Sequence, residues 1–556
     1  MSKHKQHAFI AYLKSMLRLN FIGLSTGILF YCLALTPSLL PRPAMFEGLV
    51  AGLSFAVGYS IGVFISWVIR RFPITEPQKH TKHIAWRLLA AIIAVLIILY
   101  SLWSSTWQNQ VRGFIGEPQL EGQHILSILV TAVLSAALVI AIGRLIGWMI
   151  RRVSLFIGRW IPTAYSVATG TVLVGIIIIL FYNGVVVRTF VSVSNNIYRD
   201  QNNQTNAGDQ KPTMPERSGS STSLVPWDTL GRQGRAFIAN GPSQEQLRDF
   251  SRQNPSKPIR VYVGVNSANT AKARADLAVK ELERTGAFDR SVLAVMTATG
   301  TGWIEPQSAD SLEYMWNGDT ALATIQYSYL PSWISFLVDR DNATAAGKAL
   351  FDAVYDRWQQ LPQNHRPKLI AYGLSLGSYG GQSAFTDISD IQRKTDGALF
   401  IGSPNDSQPW RAVTDSRDKS SPEWQPVYQD GKSVRFAADS GDFAKLPGNW
   451  AIPRVAYLQH ASDPVVWWSP SLIWHKPAWL SEARGPDVTP NMKWYPFVTF
   501  AQVTVDQFFG VDAPNGHGHN YANTEVAAWA AVTNPPQWDN AKTTQLQSII
   551  SKYPTD

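Results

Sequence analysis

Lys368-Leu369-Ile370-Ala371-Tyr372 runs straight into Gly373-Leu374-Ser375-Leu376-Gly377, followed by Ser378-Tyr379-Gly380-Gly381. The apolar run reads as a buried strand, and a glycine two residues either side of Ser375 lets the backbone turn sharply without a Cβ clash. A strand that delivers a serine onto such a turn is a nucleophile elbow. A serine hydroxyl has no special reactivity alone, so other residues must supply a base, an acid and an oxyanion site. The bare pattern G-x-S-x-G also occurs in ordinary loops, and its meaning rests on those partners.

The chain around the elbow alternates between strand and helix patterns. Arg260–Val265 and Ser291–Ala298 read as strands flanking a helix at Ala271–Thr285. Ala321–Tyr329 is the next strand and Thr344–Gln360 the next helix, with Ala398–Ile401 and Arg454–Gln459 as strands beyond the elbow. This alternation argues for an α/β domain with a mostly parallel sheet flanked by helices. Ligands in such sheets meet the carboxyl ends of the strands, so each strand end is a place to look for chemistry.

After Arg454–Gln459 comes His460-Ala461-Ser462-Asp463-Pro464, which puts Asp463 where a carboxylate orients an imidazole. Asp406, beyond the preceding strand, is the alternative acid. Near the C-terminus stands Pro514-Asn515-Gly516-His517-Gly518-His519-Asn520-Tyr521. A histidine between glycines sits on a loop with little apolar packing, which suits a base that reaches into a site. His517 is the expected base and His519 the alternative. The order serine, acid, histidine is that of a triad on an α/β-hydrolase sheet. The Leu376 N–H, directly after the nucleophile, is one expected oxyanion donor. Gly300, Thr301 or Gly302, in Thr299-Gly300-Thr301-Gly302-Trp303, is the expected source of a second, with Gly264 to Ala268 as the other loop. The histidines have no HExxH pattern, cysteine pair or acidic cluster beside them, so neither metal nor cofactor is expected. Of the aromatics Tyr327, Tyr329, Trp333, Trp467 and Trp468, most read as core, and some suit an acyl pocket or a headgroup layer.

The first third is different in kind. Five apolar stretches, Phe21–Leu40, Leu49–Ile69, Ala85–Trp103, Ile125–Ile146 and Ala164–Val187, approach or exceed the ~20 residues that cross a bilayer as helix. Ala90–Tyr100 and Val172–Tyr182 carry no charge and no polar face, which argues against a soluble bundle. Basic residues gather in three places: Lys3, Lys5, Lys14 and Arg18; then Arg70, Arg71, Lys79, Lys82 and Arg87; then Arg144, Arg151, Arg152 and Arg159. The positive-inside rule puts those places in the cytoplasm, and five spans then put the chain after Val187 on the outer face of the cell membrane. Pro37 and Pro41, at the outer end of the first stretch, end a helix or shape a loop.

Residues 1–190 hold 16 basic and 4 acidic side chains, net +12, while the other residues of the 556 sum to −3. The basic balance therefore belongs to the membrane third and is no argument for nucleic acid. Cys32 is the single cysteine, which excludes a disulfide framework. Asn195 to Ser223 is polar and poor in large apolar residues, so it reads as a solvated tether. The expected organisation is a transmembrane helical module at 1–190, a polar linker at 191–228 and an α/β-hydrolase-like catalytic domain at 229–556.

Longer blocks carry a resemblance. Residues 36–42 (TPSLLPR), 299–303 (TGTGW), 326–333 (QYSYLPSW), 374–378 (LSLGS), 457–468 (YLQHASDPVVWW) and 516–521 (GHGHNY) make the chain resemble bacterial membrane-anchored α/β-hydrolase-like proteins. The resemblance implies a multi-span N-terminal module, a C-terminal hydrolase module and a triad at Ser375, Asp463 and His517. Leu374 departs from that family's elbow, where an acidic residue is expected before the nucleophile. The reading that follows is a membrane-tethered serine esterase acting on an ester or acylated, lipid-like substrate beside the bilayer. The alternatives are an acyltransferase with the same triad and a non-catalytic envelope protein built on a decayed hydrolase module. A transporter is disfavoured because the spans carry few ionisable residues.

Overall fold

The computed structural model of the chain describes residues 19–73, 78–122 and 124–553. Lys3, Lys5, Lys14 and Arg18, expected on the cytoplasmic side, lie outside the described residues. The chain divides into two compact units. The first holds residues up to Thr189 together with Ser469–Leu480 and Val488–Phe509, and the second holds Phe190–Trp468, Ser481–Asp487 and Gly510–Asp556.

The first unit contains α1 (Phe21–Ala34), α2 (Ala44–Ile69), α3 (Lys79–Phe114), α4 (Ile125–Ile157) and α5 (Thr163–Phe181). Four helices, Ala44–Ile69, Lys79–Phe114, Ile125–Ile157 and Tyr165–Asn203, are long and apolar enough to cross a membrane. The first expected span differs. Its helix stops after 14 residues at Ala34, a rise of ~21 Å, which falls short of a ~30 Å hydrocarbon core. Pro37, Pro41 and Pro43 prevent its continuation. The stretch that follows is buried instead, and its backbone finds partners inside the unit. Gln502 donates from Nε2 to the carbonyls of Ala34 (3.1 Å) and Thr36 (2.9 Å). Asp506 accepts from the Ser38 hydroxyl and from the Leu39 N–H. Non-helical backbone is tolerated at depth only where protein satisfies it in this way.

α1 and the buried stretch together travel the length of α2. At one end Asn20 Nδ2 donates to Ser66 Oγ (2.9 Å), and midway Thr26 Oγ1 donates to the Gly58 carbonyl (2.7 Å). Gly58 and Gly62 of α2 lie against α1, while Gly48 and Gly52 lie against α4. Glycines four apart let helix backbones approach closely enough for dispersion to hold them in a lipid surrounding, where no hydrophobic effect does so.

The second unit is built on seven parallel strands: β1 (Ile259–Val263), β2 (Val292–Thr297), β3 (Thr320–Ile325), β4 (Lys368–Leu374), β5 (Gly397–Ile401), β6 (Val434–Ala437) and β7 (Arg454–Leu458). Their order is β1-β3-β2-β4-β5-β7-β6. Nearly every strand residue is buried, as a sheet covered on both faces requires. Helices Ala271–Thr285, Arg340–Gln359 and Leu376–Gln382 cover one face. Pro306–Met315 and Ala522–Thr533 cover the other, where Trp529 stacks on Tyr372 of β4 at 5.4 Å. This is the α/β-hydrolase-type architecture expected from the sequence, with β6 as an unexpected edge strand.

The connections after β2 and β4 leave toward opposite faces, through Pro306–Met315 and Leu376–Gln382 respectively. Adjacent strands whose connections diverge open a crevice at their carboxyl ends, and ligand sites of open α/β sheets form there. The polar stretch expected as a solvated tether is partly folded into this unit. Residues Arg188–Asn203 form a helix. Arg217 forms a parallel bridge with Arg260, and the Ser218 N–H donates to the Arg260 carbonyl (3.1 Å).

Candidate active site

Ser375 caps the end of β4 with φ 54° and ψ −125°. Positive φ is costly for a residue with a Cβ and persists only where the surroundings impose it. Two glycines impose it here. A Cβ on Gly373 would collide with the Gly377 carbonyl oxygen, and one on Gly377 would collide with that of Thr297 on β2. The Ser375 N–H donates to the Ile401 carbonyl at the end of β5 (2.8 Å), which ties the elbow to its neighbouring strand. Ser375 is half-buried. Leu376 begins the next helix, so its N–H has no partner within that helix.

Asp463 follows β7 and is fully buried. Its Oδ1 accepts from the Val465 N–H (2.8 Å). Its Oδ2 accepts from His519 Nδ1 (2.7 Å) and from the Tyr521 hydroxyl (2.6 Å). Tyr521 itself accepts from the His460 N–H (3.2 Å). Burial, together with the adjacent Asp463 carboxylate, raises the Tyr521 phenol well above its ordinary value, so it stays a donor. The His519 side chain is only 3% exposed. Its Nε2 has no hydrogen-bond partner among the described residues. Gly402, directly after Ile401, has φ +53°, and a Cβ there would collide with His519 Cε1. Ile401 and Gly402 therefore hold the serine backbone and the histidine ring against successive residues of one strand end.

The two histidines of the loop part company. His517, the expected base, has its Nδ1 3.5 Å from Asp487 Oδ2 and does not approach Asp463. The reason is local. Gly516 and Gly518 both take positive φ, and the Gly516 N–H closes on the Asn520 carbonyl (3.0 Å), so the chain reverses between the histidines. His517 anchors the loop instead. Asp487 accepts from Ser462 Oγ, which accepts from the Gly518 N–H (2.8 Å). Burial opposes the Asp487 charge, but His517 and Ser462 hold its carboxyl below the ordinary range. His460 donates from Nδ1 to the Gly518 carbonyl (2.9 Å), and burial lowers its pKa, which disfavours the charged form. Asp406, the alternative acid, accepts at both oxygens from the Arg340 Nη2 on the surface, and among the described residues no hydrogen bond joins it to either histidine.

The glycine loop after β2 is held by side chains to which sequence reasoning gave no role there. Tyr262 donates to the Gly302 carbonyl (2.8 Å) and Gln326 Nε2 to the Thr301 carbonyl (2.8 Å). Of the three expected donors, the Gly300 N–H turns to Ser332 Oγ (3.3 Å) and the Gly302 N–H closes a turn on the Thr299 carbonyl (2.9 Å). That leaves Thr301 as the N–H of this trio that these bonds do not occupy. Ser332 begins a short helix, Ser332–Val338, which turns Trp333, Leu337 and Val338 outward at 45%, 63% and 39% exposed. A small cavity of about 70 Å³, bordered by Trp303, Glu305, Leu374, His519 and Tyr521, adjoins the loop. It has room for a few waters and not for an acyl chain.

Comparison with known proteins agrees with this architecture. Residues 259–546 match the family described as "Alpha/beta-hydrolase family", and residues 35–242 match its "Alpha/beta-hydrolase family N-terminus". No curated protein matches the chain. Among solved structures it is similar to "Trichoderma reesei cutinase in complex with a C11Y4 phosphonate inhibitor", at 14% identity over 43% of this chain and 86% of that one. The TM-score of 0.20 is too low for that likeness to carry any argument. By the match that covers the sheet and its elbow, the chain belongs to this α/β-hydrolase family.

Proposed function

We propose that this protein is a membrane-anchored serine hydrolase that cleaves ester bonds in acylated, lipid-like substrates. The observation that carries the reading is the His519 ring, fixed by Asp463 through Nδ1 and left without a partner at Nε2 among the described residues, packed on the same strand end, Ile401–Gly402, that ties down the backbone of a serine on a strained elbow. His519, rather than His517, is the base in this proposal. Ser375 Oγ attacks the ester carbonyl as His519 Nε2 takes its proton. The buried Asp463 carboxylate stabilises the imidazolium, and the Leu376 and Thr301 N–H groups face the developing oxyanion. Collapse breaks the ester C–O bond, and the alcohol leaves with the proton from His519. Water, deprotonated in turn by His519, then attacks the acyl-enzyme and releases the acid with Ser375 restored.

The lipid-like substrate class follows from the exposed Trp333, Leu337 and Val338 on the helix that adjoins the glycine loop, since a tryptophan-bearing apolar patch suits a headgroup layer. The positive-inside rule argues that the end of the helical module bearing Arg70, Lys82, Arg144 and Arg151 is cytoplasmic. From that end Lys79–Phe114 runs outward, Ile125–Ile157 runs back and Tyr165–Asn203 runs outward again, so the chain beyond residue 203 then works on the outer face. A fluorophosphonate probe is expected to label the wild-type protein at the Ser375 peptide and to leave Ser375→Ala unlabelled. Equal labelling of both would sink the serine assignment.

A further inference from the structure

The helical unit contains an open cleft that ester hydrolysis does not use. A cavity of about 1410 Å³ opens among α1, α2, α3 and α4. Its lining includes Arg70, Lys82, Arg144, Arg151 and Arg152, with no acidic side chain among the described lining residues. Phe21, Ile22, Val63, Ile69, Val139 and Ile140 supply apolar wall beside them. Trp86 and Trp148 complete the rim, with the Arg152 guanidinium 5.5 Å over the Trp148 ring.

Arg70, Arg151 and Arg152 around one space favour an entering anion, and low-dielectric walls strengthen that attraction. The polar and apolar walls meet in one cavity, so the anion that fits is attached to hydrocarbon. Charge complementarity also rules against the chain's own first 18 residues as occupant, since these carry Lys3, Lys5, Lys14 and Arg18 and no acid. We infer that this cavity binds an anionic phospholipid of the surrounding bilayer, its phosphate among the arginines and its acyl chains along the apolar wall. Arginine suits the role because its fork meets phosphate oxygens in pairs and it is weakly hydrated. The site rests on the membrane reading of these helices and is independent of the serine chemistry.

The test is native mass spectrometry of the full chain extracted in detergent, titrated with phosphatidylglycerol or phosphatidylcholine bearing identical acyl chains. The wild type is expected to retain phosphatidylglycerol at least about tenfold better, and Ser375→Ala to behave identically. The triple variant Arg70→Gln, Arg151→Gln, Arg152→Gln is expected to lose that preference, while Arg188→Gln, outside the cavity, keeps it. Equal retention of the two lipids by wild type would overturn the proposal whatever the variants do. So would a triple variant that binds phosphatidylglycerol as wild type does. Displacement of the lipid by free glycerol phosphate at matched concentration would overturn it too, and assign the cavity to a soluble phosphate instead.

Discussion

At the scale of single residues, the proposed chemistry depends on a few close approaches. Gly402 is the most sensitive of them, because its positive φ and its approach to His519 Cε1 leave no room for a methyl group. Gly402→Ala is expected to lower kcat for a soluble ester about 100-fold with little change in KM, since displacing a catalytic group by about 1 Å costs that much. Unchanged kcat would show that the ring does not need its present place. Glu525 offers a second test. Burial, with Glu305 close by, raises its carboxyl well above the ordinary range. A raised folded-state pKa means the folded chain keeps a proton that the unfolded chain releases above pH ~4.3. The stability from this group is complete in acid and is lost as pH rises. Glu525→Gln, which keeps the neutral shape, should therefore gain Tm relative to wild type as pH goes from 5 to 8. A difference that does not vary with pH would contradict the assignment.

The elements were unequally legible in the sequence. β1 to β5 and β7 announce themselves as apolar runs between helical patterns, and the elbow is visible because glycine spacing alone marks it. β6 is four residues long with Arg435 inside it, so no periodicity marks it. The first membrane stretch misleads for a related reason. Phe21–Leu40 is almost uniformly apolar, but prolines end its helix, and Gln502 and Asp506 from far along the chain satisfy the backbone beyond Ala34. That Asp463 meets a histidine of the C-terminal loop was readable from its place past a strand end. The choice between His517 and His519 was not, because Gly516 and Gly518 reverse the chain and no period of two survives that turn. The roles of Asp487 and Gln326 left no local pattern to read, since both act through contacts across the fold.

Taken whole, the molecule combines an apolar helical unit with a parallel α/β sheet unit, and the proposal couples ester chemistry to a membrane surface. If the basic ends of the helices are cytoplasmic, the chain just beyond residue 203 is outside the cell. An impermeant maleimide should then label Ala207→Cys, in a Cys32→Ser background, in intact cells. Labelling only after the membrane is opened would place the hydrolase unit inside and refute the topology. The central claim is that His519 and Asp463, not His517, drive Ser375. The most direct measurement is the second-order rate of fluorophosphonate labelling in His519→Gln and His517→Gln beside wild type. The account predicts a loss of about 10³-fold or more for His519→Gln and a change within about tenfold for His517→Gln. The reverse pattern, or equal rates in all three proteins, would contradict it.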